Sequence, residues 1–257
     1  MSSNLQNKVV FITGSSRGIG KAIALSFAKS GASLIGLHYA NNDIAANETL
    51  KEIENLGAKA VLIKGDLSQG NKEIENIFHK FQDAVIEMTG NSKIDILVNN
   101  AGTAPEISLA DTTDALFNEI MDLNFKAPFF LIQKFSDHMN TNGRIINIST
   151  GFTRVASPNH SVYAASKGAL ETLTLALAPV FGSRGITINS IMPGVTETDM
   201  NKDWLNIPEA RAQAESLSVF SRVGKTMDVA DVVTLIASEE ARWITGQVID
   251  ATGGARL

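Results

Sequence analysis

Short apolar runs and longer amphipathic stretches take turns along this chain. Residues 9–12, 33–37, 60–63, 94–98, 144–148, 186–191 and 248–250 are runs of strand length, rich in Val, Ile and Leu. Strands buried on both faces read this way. Between them, residues 18–30, 43–56, 71–89, 112–139, 161–182 and 228–238 carry helical spacing; in the first, Ile19, Ala22, Ile23 and Phe27 form one stripe. Gly31 and Gly57 stand where helix ends are expected, and Pro179 should kink the 161–182 helix or mark its last turns. A polar loop with short helices is expected over 195–225. Strands alternating with helices imply an α/β fold, a doubly wound parallel sheet of about seven strands with helices on both faces. No linker, repeat or low-complexity tract interrupts it, so residues 1–257 read as a single domain.

Composition narrows the function classes. A chain of 257 residues buries roughly three quarters of its unfolded surface and needs no staples. The net charge of −5 argues against a nucleic-acid binder, which needs a basic footprint. There is no cysteine, which removes disulfides, thiolate nucleophiles and Cys-based zinc sites and suits a cytoplasmic location. The polar start shows no secretory signal, and no apolar run reaches the roughly 18 residues of a membrane span. The four histidines, at 38, 79, 138 and 160, lack metal-ligand spacing, so no metal site is expected; His79 and His138 read as helix-surface residues.

Two segments carry chemistry. Thr13-Gly14-Ser15-Ser16-Arg17-Gly18-Ile19-Gly20 lies between the first strand and the first helix. Glycines there let the backbone approach a pyrophosphate, and the helix start offers free N–H groups and a positive dipole end. Further on, Tyr163 and Lys167 stand four apart on a predicted helix and so share a face. A phenol near an ammonium is an acid brought closer to neutral pH.

These segments, with three others, carry a resemblance. Thr-Gly-x-x-x-Gly-x-Gly at 13–20, Asn99-Asn100-Ala101-Gly102 after strand four, Asn124 in the next helix, Tyr163-x-x-x-Lys167, and Pro193-Gly194 after strand six stand in one order. The chain resembles the short-chain dehydrogenase/reductase family, in its shorter, reductase-rich branch, from about residue 7 to 254. The resemblance implies a Rossmann-type sheet that binds a dinucleotide, with Gly14, Ser16, Arg17, Gly18, Ile19 and Gly20 at the phosphates. It implies Asp66 and Leu67 at the adenine; Asp66 also reads as a helix N-cap. Asn100, Ala101 and Gly102 would pass under the cofactor, and Pro193, Thr196 and Thr198 would hold the nicotinamide. Tyr163 is implied as general acid/base, Lys167 as its partner and a ribose contact, and Asn124 as a helix residue whose backbone distortion holds a water linked to the lysine. The family's usual serine falls thirteen residues before the tyrosine, where this chain has Thr150 beside Ser149. Adjacent strand residues face opposite sides, so Thr150 is expected to serve, with Ser149 replacing it if the strand end bulges.

The cofactor choice rests on the end of strand two, Leu37-His38-Tyr39-Ala40-Asn41-Asn42, which has no acid before Asp43. An acid there would bind a ribose 2′-hydroxyl and repel a 2′-phosphate. With Arg17 in the glycine turn, NADPH is expected in preference to NADH, with His38 and Asn41 completing the cofactor set. The expected reaction is reduction of a small-molecule ketone or aldehyde. A substrate lid is expected over about 195–225, with Met200, Trp204, Leu205, Ile207, Leu217, Val219 and Phe220 as its apolar residues, and Phe152, Val155 and His160 near the substrate. The resemblance also implies a homotetramer that pairs helices near 112–139 and 161–182. Two other readings stand beside this one: an NAD-dependent alcohol or sugar dehydrogenase, and a non-catalytic dinucleotide sensor on the same fold.

Overall fold

The computed structural model describes residues 4–255. The first three residues of the polar start and the last two of the chain lie outside the described residues. The chain runs β1 (Val9–Ile12), α1 (Gly18–Lys29), β2 (Leu34–Tyr39), α2 (Asp43–Asn55), β3 (Lys59–Lys64), α3 (Asn71–Thr89), β4 (Ile94–Asn99), α4 (Asp114–Met121), α5 (Ala127–Ser136), β5 (Met139–Ile148), α6 (Ser161–Phe181), β6 (Thr187–Pro193), α7 (Lys202–Leu205), α8 (Pro208–Leu217), α9 (Thr226–Ala237) and β7 (Val248–Ala251). The strands form one sheet in the order β3-β2-β1-β4-β5-β6-β7, every pairing parallel. Winding reverses between β1 and β4. A crevice therefore opens at the carboxyl ends of those two strands, where the segments 13–20 and 99–103 emerge.

Strand alternation divides the core. Val10, Ile12, Ile146 and Ile148 turn to one face, where Ile23 and Phe27 of α1 and Val233 and Ile236 of α9 cover them. Phe11, Leu97 and Ile145 turn to the other, against Phe81 of α3, Phe135 of α5 and Phe181 of α6. Phe11 meets Phe81 at 4.6 Å between ring centroids and Phe135 at 5.3 Å, within the range of favourable aromatic pairing. Layers packed on both sides explain why the strands read as unbroken apolar runs.

One expectation is corrected here. The 112–139 stretch is not one regular helix. Residues 122–126 form a π turn between α4 and α5, and the helical run ends at Ser136. Pro128 has no N–H to return to the carbonyl four residues earlier, that of Asn124, so regular α geometry is interrupted there. Met139 is claimed by the sheet, opposite Ile94, and is buried. His138 falls in the resulting turn, half-buried with its Nδ1 2.8 Å from Gln82 Nε2, and is not a helix-surface residue. Pro179 lies inside α6, two residues before its end.

Candidate active site

The glycine turn is fastened from beneath. Thr13 Oγ1 accepts the backbone N–H groups of Asn100 and Ala101, both at 2.9 Å. Asn100 Nδ2 donates to the carbonyls of Thr13 (2.9 Å) and Gly14 (3.0 Å). The loop after β4 and the turn after β1 are therefore one stitched unit. Its glycines have two uses. A Cβ on Gly20 would stand 2.3 Å from the Gly14 oxygen, and one on Gly14, with φ at +63°, would stand 2.9 Å from Ala101 Cα. Those two let the turn close on itself. A Cβ on Gly18, φ +58°, would approach only the Thr198 side chain at 3.7 Å, so this glycine keeps the helix mouth clear.

His38 belongs to this fastening, and its expected place beside the cofactor is corrected. The ring is buried. Its Nδ1 accepts the Gly14 N–H at 3.2 Å and its Nε2 lies 3.0 Å from the Gly65 carbonyl. Both nitrogens are committed to backbone, which fixes a neutral ring with the proton on Nε2. Burial drives its pKa down to about 4, against the opposing pull of the Gly65 carbonyl. The ring supports the turn and has no atom left for a phosphate.

The residues around the α1 start suit an anion. No side chain caps the helix, and its first turn holds no acid, so its N–H groups and dipole remain available. Ser16 is buried with its carbonyl held by Thr49 Oγ1 at 3.0 Å. Arg17 is exposed and only loosely paired with Asp199, 3.5 Å away. At the end of β2, Asn41 is exposed. Asp43, the nearest acid, is held by Lys64 and the Tyr39 hydroxyl, and those contacts keep its carboxyl below the usual range. Asp66 accepts the Ser68 N–H and hydroxyl, as a cap does, and Leu67 is buried. These features fit a dinucleotide bearing a 2′-phosphate.

At the carboxyl end of β5, the adjacent residues part company. Ser149 turns toward α6 and donates to Glu171. Thr150, the next residue, lies beside Tyr163, nearer the start of the same helix, and its Oγ1 accepts the Phe152 N–H at 3.3 Å. Burial pushes the Tyr163 phenol above its ordinary value, and the Thr150 hydroxyl pulls it partly back. Lys167 is buried and donates from Nζ to the Ile148 carbonyl at 2.8 Å; burial lowers its pKa to about 8. Burial is thus the largest influence on the phenol.

Asn124 sits in the π turn with its side chain wholly buried and committed. Its Nδ2 donates to the Thr103 carbonyl (2.9 Å) and the Ser166 hydroxyl (3.1 Å), and its Oδ1 accepts the Thr103 N–H (2.9 Å). A Cβ on Gly102 would stand 3.0 Å from Asn124 Oδ1 and 3.3 Å from Lys167 Nζ, so Gly102, Asn124 and Lys167 meet at one point. Ser166, Thr103 and Glu171 are participants that sequence reasoning passes over, and Thr13 was quoted in the glycine motif without a role of its own. Only Thr13 had a local signal, its place before the first glycine.

Around the mouth, Phe152 and His160 pack at 4.9 Å with 33° between planes, and Phe152 meets Tyr163 edge-on at 6.3 Å. The segment after β6 is tied down by Asn201 Nδ2, which donates to the Thr196 carbonyl at 2.9 Å, and Gly194 lies against Thr252. Beyond it, α7 and α8 pack on Val223 and Val195 through Leu205 and Ala214. A cavity of about 640 Å³ separates them from α1, lined by Gly18, Lys21, Leu25, Thr198, Leu205 and Met227 among others.

Comparison with known proteins agrees with this arrangement. The profile of the enoyl-(acyl carrier protein) reductase family matches residues 14–256. The chain is 35% identical over 98% of its length to the short chain dehydrogenase mdpC of Emericella nidulans, covering 96% of that protein. Among solved structures, it is 44% identical to LugOII, described as a promiscuous reductase that catalyses keto-reduction at C1 during lugdunomycin biosynthesis; the TM-score is 0.94, with 99% of this chain and 100% of the other covered. It is 43% identical to the angucycline C-6 ketoreductase LanV with bound NADP, at a TM-score of 0.93, covering 99% and 97%.

Proposed function

Because the chain belongs to the short-chain dehydrogenase/reductase family, we propose that it is an NADPH-dependent reductase of a ketone within a polycyclic, largely aromatic frame. The observation that supports the reaction is the buried Lys167 Nζ, one turn from Tyr163 on α6 and bonded to the Ile148 carbonyl at the end of β5, next to Ser149 and Thr150. NADPH, when bound, supplies a hydride to the carbonyl carbon. Gly14, Ser16, Arg17, Gly18, Ile19 and Gly20 would hold its phosphates, with Asn41, Asp66 and Leu67 toward the adenosine. Asn100, Ala101, Gly102, Pro193, Thr196 and Thr198 would line the rest. The aromatic frame is supported by the similarity to LanV, an angucycline C-6 ketoreductase, and by the Phe152, His160 and Tyr163 rings at this mouth.

The proton chemistry follows from the residues. With its pKa raised by burial, Tyr163 carries its proton at neutral pH, as a general acid must. Its Oη gives that proton to the carbonyl oxygen, and the Thr150 hydroxyl orients the same oxygen. The phenolate left behind is stabilised by Thr150 and by Lys167, which is about half protonated at pH 8. Asn124 fixes the π turn against Thr103 and so holds the wall beside Lys167. Residues 195–225 act as the lid of a single catalytic domain. The lack of cysteine suits the cytoplasm. A homotetramer is supported by exposed Phe117, Phe129, Leu175 and Val180 on α4, α5 and α6; light scattering would test it.

The test is oxidation of NADPH and NADH, side by side, with a panel of polycyclic aromatic ketones, simple ketones and aldehydes. Turnover with NADPH is expected, with Tyr163→Phe lowering kcat about 10³-fold while cofactor binding persists. Thr150→Val should cost about 10²-fold and Ser149→Ala no more than about threefold. Preference for NADH with alcohol oxidation dominant, or full activity in Tyr163→Phe, would overturn the proposal.

A further inference from the structure

Tyr163, Lys167 and Glu171 follow one another at four-residue intervals on α6, and each grips the end of β5. Tyr163 lies beside Thr150, and Lys167 Nζ donates to the Ile148 carbonyl. Glu171 accepts from the Ser149 hydroxyl, and its Oε1 lies 3.0 Å from Thr153 Oγ1. Thr153 Oγ1 also lies 3.0 Å from the Thr150 carbonyl. The carboxylate thus brackets Thr150 through the residue before it and the residue three after it.

That bracket has a chemical consequence. Thr150, two residues past the end of β5, has an extended backbone (φ −157°, ψ 149°) and opens a single short turn, Gly151–Thr153. A strand end followed by one turn of 3₁₀ helix has few backbone bonds to hold its direction. The hydroxyl that must face Tyr163 has a stiff β-branched stem, so its aim is set by the backbone. A rotation of the strand end would exchange Ser149 for Thr150 on the catalytic side. A carboxylate that holds Ser149 two turns further along the same helix opposes that rotation.

We propose that Glu171 is a positioning residue of the reaction: its carboxylate clasps Ser149 and Thr153 to α6 and so aims the Thr150 hydroxyl at Tyr163. The inference rests on the reductase reading, which is tested beforehand by wild-type turnover and its loss in Tyr163→Phe. It goes beyond that reading by assigning a function to a side chain outside the reacting group.

The experiment is a double-mutant cycle between Glu171→Ala and Thr150→Val on the full chain. Glu171→Ala should lower kcat about tenfold in the wild-type background and leave kcat unaltered when Thr150→Val is already present, since the hydroxyl to be aimed is gone. KM for NADPH should stay within about twofold, because the cofactor cradle lies on other elements. Glu171→Gln, which keeps an acceptor for one hydroxyl, should recover at least about half of the lost kcat. In Glu171→Ala the basic limb of the pH profile should move to higher pH, as the phenol loses the bond that lowers its pKa. If Glu171→Ala does not fold, Thr153→Val gives the same cycle. Wild-type kcat in Glu171→Ala, or an equal loss in both backgrounds, overturns the proposal and leaves Glu171 as a plain structural tie.

Discussion

The turn at 13–20 and the segment 195–225, proposed above as a cover, are held by different means. The turn is tied by Thr13, His38 and Asn100, all reaching from the sheet or the loops that leave it. The cover has a buried cluster of its own made of Leu205, Ala214 and Val223, with Val195 against it, and leaves Met200, Ile207, Val219 and Phe220 more than half exposed. A cradle for a constant cofactor gains from being built in advance, because less ordering is left for the binding event. A cover that meets a variable substrate gains from low local stability, since few buried contacts oppose its movement.

The largest effect should come from breaking the cradle. Gly20→Ala places a methyl 2.3 Å from the Gly14 oxygen and 2.5 Å from Asn100 Nδ2, so the stitch must open. We expect a stability loss of about 3 kcal/mol in denaturant titration and NADPH affinity down by more than about 100-fold. Gly18→Ala, two residues away, meets only Thr198 at 3.7 Å and should cost just the left-handed strain, about 1 kcal/mol. Equal losses from the two would contradict the division of labour among the glycines.

A smaller effect should follow acid. The folded pKa of His38, about 4, lies below its ordinary 6.5, so the unfolded chain binds this proton first as pH falls. Its contribution to stability is whole above pH 6.5 and declines down to about 4, by about a factor of ten in the folding equilibrium per pH unit. Protonation also sets an N–H of Nδ1 against that of Gly14, so NADPH affinity should weaken over the same window. His38→Gln should flatten this part of the stability curve. An unchanged slope in that variant would remove His38 from the fastening.

The smallest effect belongs to the cover. Trp204, 37% exposed with its Nε1 on Asn201 at 3.2 Å, carries little of the core. Trp204→Ala should change stability by no more than about 0.5 kcal/mol yet raise the ketone KM about fivefold, with NADPH binding intact. A drop in Tm matching that of Gly20→Ala would show that the cover and the cradle are one cooperative unit.

Much of this was written locally. The seven apolar runs announce the sheet, because a strand packed on both faces has no polar positions to show. The glycines and the Tyr163–Lys167 spacing mark the crevice, because close backbone approach and a shared helix face are short-range properties, while Asn124 is marked only by the family resemblance. What the chain could not announce depends on partners distant in sequence. The aim of His38 is set by Gly14 and Gly65, 24 and 27 residues away, and the π turn at Asn124 answers to Thr103 and Ser166 as well as to Pro128. Spacing favoured Thr150 over Ser149, but the partner of the Ser149 hydroxyl is Glu171, 22 residues further on. Local sequence determined which elements form and which chemistry they carry. Only the packed sheet decided where each polar atom points, because a buried polar group turns toward whichever partner the fold brings within hydrogen-bond reach.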